Sequence, residues 1–172
     1  MATQAATVRP TAPRHPFAPD SYERVLSAAA LALLVAVGVA LGKGRAEWGE
    51  VPVIIWFHIA TIVLALALTP IMLLRPRGDR LHRRLGWVWT TAMMATALST
   101  FAIRTIDPGR LWFIHILSAW TLIQVPMLVW RARMHNHAGH RSSVRGMVTG
   151  ALIIAGIFTF PFERLMGSWL SR

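Results

Sequence analysis

The sequence predicts an all-α integral membrane protein of five transmembrane helices, four forming a duplicated-hairpin bundle with a pseudo-twofold axis and one an accessory helix. Three observations predict it. Of the 172 residues, 55% are hydrophobic and 15% charged, which is too apolar for an ordinary soluble domain of this length. Five runs contain no Asp, Glu, Lys or Arg: Val25 to Gly42, Val51 to Leu74, Leu85 to Ile103, Leu111 to Trp130, and Gly146 to Phe162. Each approaches the roughly 20 residues that a helix needs to cross a bilayer. Finally, one pattern occurs twice: His58, Pro70, Arg75, His82-Arg83, Gly86, Arg104, then His115, Pro126, Arg131, His140-Arg141, Gly146, Arg164.

The elements follow in order. Residues 1–24 carry Pro10, Pro13, Pro16 and Pro19 with few large apolar groups, and are expected to form a mobile cytoplasmic tail. Residues 25–42 form the accessory span, too long in both polar prelude and apolar stretch for a cleaved signal peptide. Its series Ala28, Ala32, Ala36 and Ala40, with Gly38 and Gly42 beside it, suits close docking against the bundle or an oligomer contact. Residues 51–104 and 110–164 form the two hairpins, and 165–172 a short tail. Backbone groups unpaired in lipid are too costly for isolated strands, so the spans should be helices. Pro70 and Pro126 are expected to kink their helices.

Charge orients the chain. Twelve Lys and Arg fall in the tail, between Leu74 and Leu85, and between Trp130 and Gly146, against six on the opposite side. The positive-inside rule puts the N-terminus in the cytoplasm and the C-terminus outside it. Trp48, Trp56, Trp112 and Trp169 then lie near the outer boundary and Trp87, Trp89 and Trp130 near the inner one. The net charge of +11 is explained by arginines in short loops meeting anionic headgroups, so nucleic acid is not an expected partner.

An ionisable residue within hydrocarbon is a functional-site hypothesis by default. His58 and His115 belong to the outer leaflet. His82 follows the N-cap candidate Asp79, and both it and His140 belong at the inner boundary. Across a pseudo-twofold axis along the membrane normal, His58 faces His115 and His82 faces His140. Facing imidazoles suit axial ligation of haem b, and the small neighbours Thr61, Ala65, Ser118 and Ala119 leave room for a flat macrocycle. Arg83 and Arg141, with Arg84 and Arg145, suit inner propionates, and Arg104 and Arg110 lie near the outer site. The alternative is structural: His58 satisfied by a neighbouring carbonyl or a hydroxyl such as Ser118, and His82 and His140 meeting lipid phosphates beside Arg83 and Arg141.

The pattern Arg80-Leu-His-Arg-Arg-Leu-Gly86, with Phe113-Ile-His-Ile-Leu-Ser118 and Gly139-His-Arg-Ser-Ser-Val-Arg-Gly146, resembles an uncharacterised family of predicted bacterial membrane proteins. That resemblance spans Trp56 to Arg164 and implies the bacterial inner membrane, but no activity. More distantly, the histidine order resembles the transmembrane di-haem cytochromes b of the ascorbate-reducible type. It implies His58 with His115 as the outer ligand pair and His82 with His140 as the inner. The chain departs from that family in lacking a sixth helix and in placing its inner histidines at the membrane boundary.

The loop Met134 to His140 offers His135, His137 and His140 as a further metal option, without a carboxylate to serve as base. No cysteine is present, which excludes disulfides, thiolate catalysis and iron–sulfur ligation. No Ser-His-Asp order, phosphate-cradling loop or paired carboxylates occur, which argues against hydrolase and nucleotide-dependent activities. Two classes remain. One is a small membrane cytochrome passing electrons to quinone or a redox protein. The other is a non-catalytic scaffold, as a homo-oligomer or a subunit of a membrane complex, with a metal or small-molecule transporter as a weaker third.

Overall fold

The computed structural model describes residues 18–103, 113–161 and 164–172, and these are predominantly helical, with no strand among them. Among the described residues six helices form: α1 Ser21–Lys43, α2 Val53–Leu74, α3 Arg80–Ala102, α4 Phe113–Arg133, α5 His137–Met147 and α6 Leu165–Ser171. A 3₁₀ segment, Gly44–Glu50, joins α1 to α2. Beyond Met147, α5 continues through a π-helical stretch, Val148–Ile154, and a last α-helical turn, Ala155–Ile157. Arg104, Arg110, Trp112 and Pro10, Pro13 and Pro16 lie outside the described residues.

Local chemistry sets the helix starts. α1 opens on a capping box: the Asp20 carboxylate accepts from the Glu23 N–H at 3.1 Å, and the Glu23 carboxylate accepts from the Asp20 N–H at 3.2 Å. Two orphan donors are thereby satisfied reciprocally. Gly78, at φ 88°, makes the turn after α2, and Asp79 caps α3 by accepting from the His82 N–H at 2.6 Å. Asn136 caps α5 by accepting from the Gly139 N–H at 2.9 Å. α2 and α4 run unbroken through Pro70 and Pro126.

The helices close a ring. α1 packs on α2, α2 on α3, α3 on α4, α4 on α5, and the π-helical stretch returns to α1. Leu26, Ala30 and Leu33 of α1 share one buried core with Ala65 and Leu66 of α2, Trp89 and Met93 of α3, Val125 and Leu128 of α4, and Met147 and Leu152 of α5. The first helix is therefore part of the core and not an accessory. Its buried face is Leu26, Ala30, Leu33, Val37 and Ala40, a three-and-four spacing, while Ala28, Ala32, Gly38 and Gly42 are exposed. The expected docking face is thus corrected in part: Ala40 is buried, but Ala28 and Ala32 face outward, because the contacting stripe follows a three-and-four spacing and not a strict four-residue one. Gly156 does act as a flat contact, since a Cβ there would run into Leu33.

Both ends of the chain also differ from expectation. Residues 21–24, assigned above to a mobile tail, are helical because the capping box starts α1 four residues early. Residues 165–172, expected as a short tail, contain α6, which folds back against α1. There Trp169 is fully buried with Met166, Ile59 and Ala40, and its indole N–H donates to Glu47 at 2.8 Å. Trp169 and Trp89 are consequently buried inside the protein, the latter donating to the Thr69 hydroxyl at 2.9 Å.

Among the described residues, two helical stretches are long and apolar enough to cross a membrane: Ser21–Glu50, 30 residues with a mean hydropathy of 2.5, and Val53–Leu74, 22 residues at 2.3.

Candidate functional site: a buried carboxylate and two histidines at the arginine-rich end

Glu23 lies on the first turn of α1 with its side chain only 1% exposed. A buried carboxylate must be paired. Arg141 of α5 supplies a two-pronged contact, Nε to Oε1 at 2.7 Å and Nη2 to Oε2 at 2.9 Å. Arg145, one turn on, donates to Oε1 at 3.2 Å and also pairs with Asp20. Arg77, from the turn between α2 and α3, closes on Oε2. Three guanidiniums from two separate segments thus converge on one acid. Burial raises the Glu23 pKa, but hydrogen bonds from Arg141 and Arg77, with the Asp20 N–H, more than offset it and hold the carboxyl below its ordinary range.

His82 and His140 stand close to this cluster. His140 sits in the first turn of α5 and its Nδ1 lies 2.9 Å from the Leu128 carbonyl of α4. A carbonyl only accepts, so Nδ1 carries the proton and Nε2 keeps the lone pair. His82 sits in the first turn of α3 within electrostatic range of His140. Its Nδ1 is buried, with no hydrogen-bond partner. Burial, then His140, push the His82 pKa down, as do Arg77 and Arg75, against the opposing pull of Asp79. His140 is likewise lowered, by burial first and then by Arg77 and His137, while the bond to Leu128 opposes.

The outer histidines both address α3. His58 Nδ1 is 2.9 Å from the Ser99 hydroxyl, which gives its own proton to the Thr96 carbonyl at 2.8 Å. Ser99 must therefore accept, and His58, like His140, holds its lone pair on Nε2. One turn further along the same seam, the Thr96 and Thr61 hydroxyls meet at 2.8 Å. The His115 ring packs beside Phe101 at 5.6 Å between centroids.

The expected arginine roles change. Arg141 has its planar fork occupied by Glu23 instead of standing open to a propionate, because the buried acid needs a counter-charge. Arg83 is exposed and donates to the Gly78 carbonyl at 3.0 Å. In the following loop, His135 adopts φ 55° and its ring meets that of His137 edge-on at 6.4 Å. Among the described residues no three His, Cys, Asp or Glu side chains gather to hold a metal ion, so the three-imidazole loop site does not form.

Glu23 and Asp20 were missed as site residues. The signal for the helix start was present, since Asp-Ser-Tyr-Glu before an apolar run is a capping-box pattern. Nothing local announces that Arg77, Arg141 and Arg145 meet there. Comparison with family models, with curated proteins and with solved structures gives no match.

Proposed function

We propose that this chain is a small multi-pass membrane protein of b-type cytochrome character, held in a bacterial inner membrane with its arginine-rich end in the cytoplasm. The membrane reading is supported by the two apolar stretches, of which only 33% and 39% is buried. A core helix of a soluble protein would be covered far more completely. The remaining three spans are assigned by the absence of charge along Leu85 to Ile103, Leu111 to Trp130 and Gly146 to Phe162.

One observation carries the haem reading: at the inner end, the Nδ1 proton of His140 is given to a carbonyl, leaving Nε2 free to ligate, while the Nδ1 of neighbouring His82 is buried without a hydrogen-bond partner. Carbonyl-bonded Nδ1–H is the usual arrangement behind a ligating histidine, because it fixes ring and tautomer together. His82 and His140 would hold the inner group, and His58, with its tautomer set by Ser99, and His115 the outer. Haem b supplies one-electron carriage when bound. The chain's own contribution is to orient the rings, exclude water with the aliphatic core, and place positive charge nearby through Arg77. A quinone or redox protein is the matching partner class.

The test is a pair of visible spectra, oxidised and reduced, on protein expressed with ample haem and purified in detergent. A sharp reduced α band that is lost in His140→Ala, with helicity retained, supports the reading. A colourless, well-folded protein overturns it.

The Ser99 contact to His58 and the Glu23 cluster favour a second reading, a non-catalytic membrane subunit whose polar pairs hold helices together. The colourless outcome is its prediction.

A further inference from the structure

We infer that the seam between α3 and α4, at the arginine-rich end, is a binding site for an anionic phospholipid, an inference that rests on the membrane reading above. Arg84 and Trp87 are three residues apart on α3, and Trp130 and Arg133 three apart on α4, so each pair shares a helix face. α3 and α4 pack together, and because Trp87 meets Arg133 while Phe101 meets His115, they run in opposite directions. The two orders are therefore mirrored: both arginines sit toward the helix ends and both tryptophans about 4.5 Å further in. The Arg133 guanidinium lies 5.6 Å from the centre of the Trp87 ring, which ties the two pairs into one surface. All four are exposed, Trp87 by 55% and Trp130 by 60%.

This order matches a phospholipid in profile. Stacking on an indole leaves the N–H edges of a guanidinium pointing outward, where they can donate to phosphate oxygens. Arg84 supplies the second positive group, about one turn into a helix whose N-terminus favours anions. The indoles below suit the glycerol and upper acyl region, where such rings settle. A free phosphate would use the arginines and leave two large aromatic surfaces uncovered. A basic, exposed seam between helices with aromatic flanks thus selects an amphiphile.

Reconstitution in nanodiscs of mixed phosphatidylglycerol and phosphatidylcholine, followed by native mass spectrometry, reads the lipid retained. Wild type is expected to keep phosphatidylglycerol selectively. The Arg84→Gln/Arg133→Gln double variant should lose about thirtyfold in that preference, and Arg84→Lys/Arg133→Lys should keep part of it. Arg24→Gln, an exposed charge on α1, serves as the control and should change nothing. Undiminished selectivity in the double glutamine variant overturns the site, as does full displacement of the lipid by inorganic phosphate. Failure to incorporate into nanodiscs at all would defeat the membrane reading itself, whereas incorporation without selectivity defeats only the lipid site.

Discussion

Glu23 and Arg141 stand 118 positions apart in the chain and share two hydrogen bonds, at 2.7 and 2.9 Å. That contact fastens the start of the first helix to the start of the fifth. Arg77 brings the turn between α2 and α3 to the same carboxylate. The arginine-rich end is thus closed by charge, while apolar side chains fill the space beyond it.

Removing the acid should loosen that end. Glu23→Gln keeps the shape but leaves three guanidiniums without their shared counter-charge. The expected loss is about 2–3 kcal/mol, toward the low side for a broken buried pair because the arginines retain some water. Thermal unfolding in detergent checks it, and an unchanged midpoint would show that the cluster contributes nothing to stability.

Acid should weaken the same contact. The Glu23 carboxyl is held below its ordinary range in the folded protein, so its stabilisation is complete above the unfolded pKa and disappears as pH falls through the lower folded value. His82 and His140, also lowered, add a loss that begins nearer the ordinary histidine range. The unfolding midpoint of the wild type should therefore drop in two stages on acidification. In Glu23→Gln the second stage should shrink; an identical profile in both proteins would contradict the assignment.

The opposite end depends on a glycine. A Cβ at Gly44 would overlap the Trp169 indole, so Gly44→Ala should displace the ring and break its bond to Glu47. Overpacking of this kind costs about 1–3 kcal/mol. The check is near-ultraviolet circular dichroism together with unfolding: Trp169→Phe should lose the same aromatic signal, and retention of that signal in Gly44→Ala would mean that the α6 contact is looser than described.

Ser99 should set the His58 tautomer. In the wild type, nitrogen NMR of labelled histidine is expected to find the proton on Nδ1 and the lone pair on Nε2. Ser99→Ala should shift that balance while costing only about 0.6 kcal/mol, the average for such bonds in membrane proteins. An unchanged tautomer ratio would assign the orientation to some other group.

Part of this was legible in the chain. Asp79 was readable as the cap of α3, and the matched positions of His82 and His140 in first helical turns followed from their local sequences. The histidine partners were not legible. The symmetry of the two hairpins pairs His58 with His115, but nothing in it indicates that the His58 ring meets Ser99 and the His115 ring Phe101, both on α3. Spacing fixes the helix face on which a side chain lies, but which neighbour that face meets depends on how the helices rotate and tilt.

Composition and pattern by themselves determined helicity, the apolar stretches and the concentration of arginine at one end, because those depend on short windows of residues and on backbone hydrogen bonding. Only the tertiary structure decided that α1 completes the ring, that Trp169 is interior, and that Glu23 gathers Arg77, Arg141 and Arg145. These outcomes require groups distant in sequence to neutralise or cover one another, and no local window contains both partners.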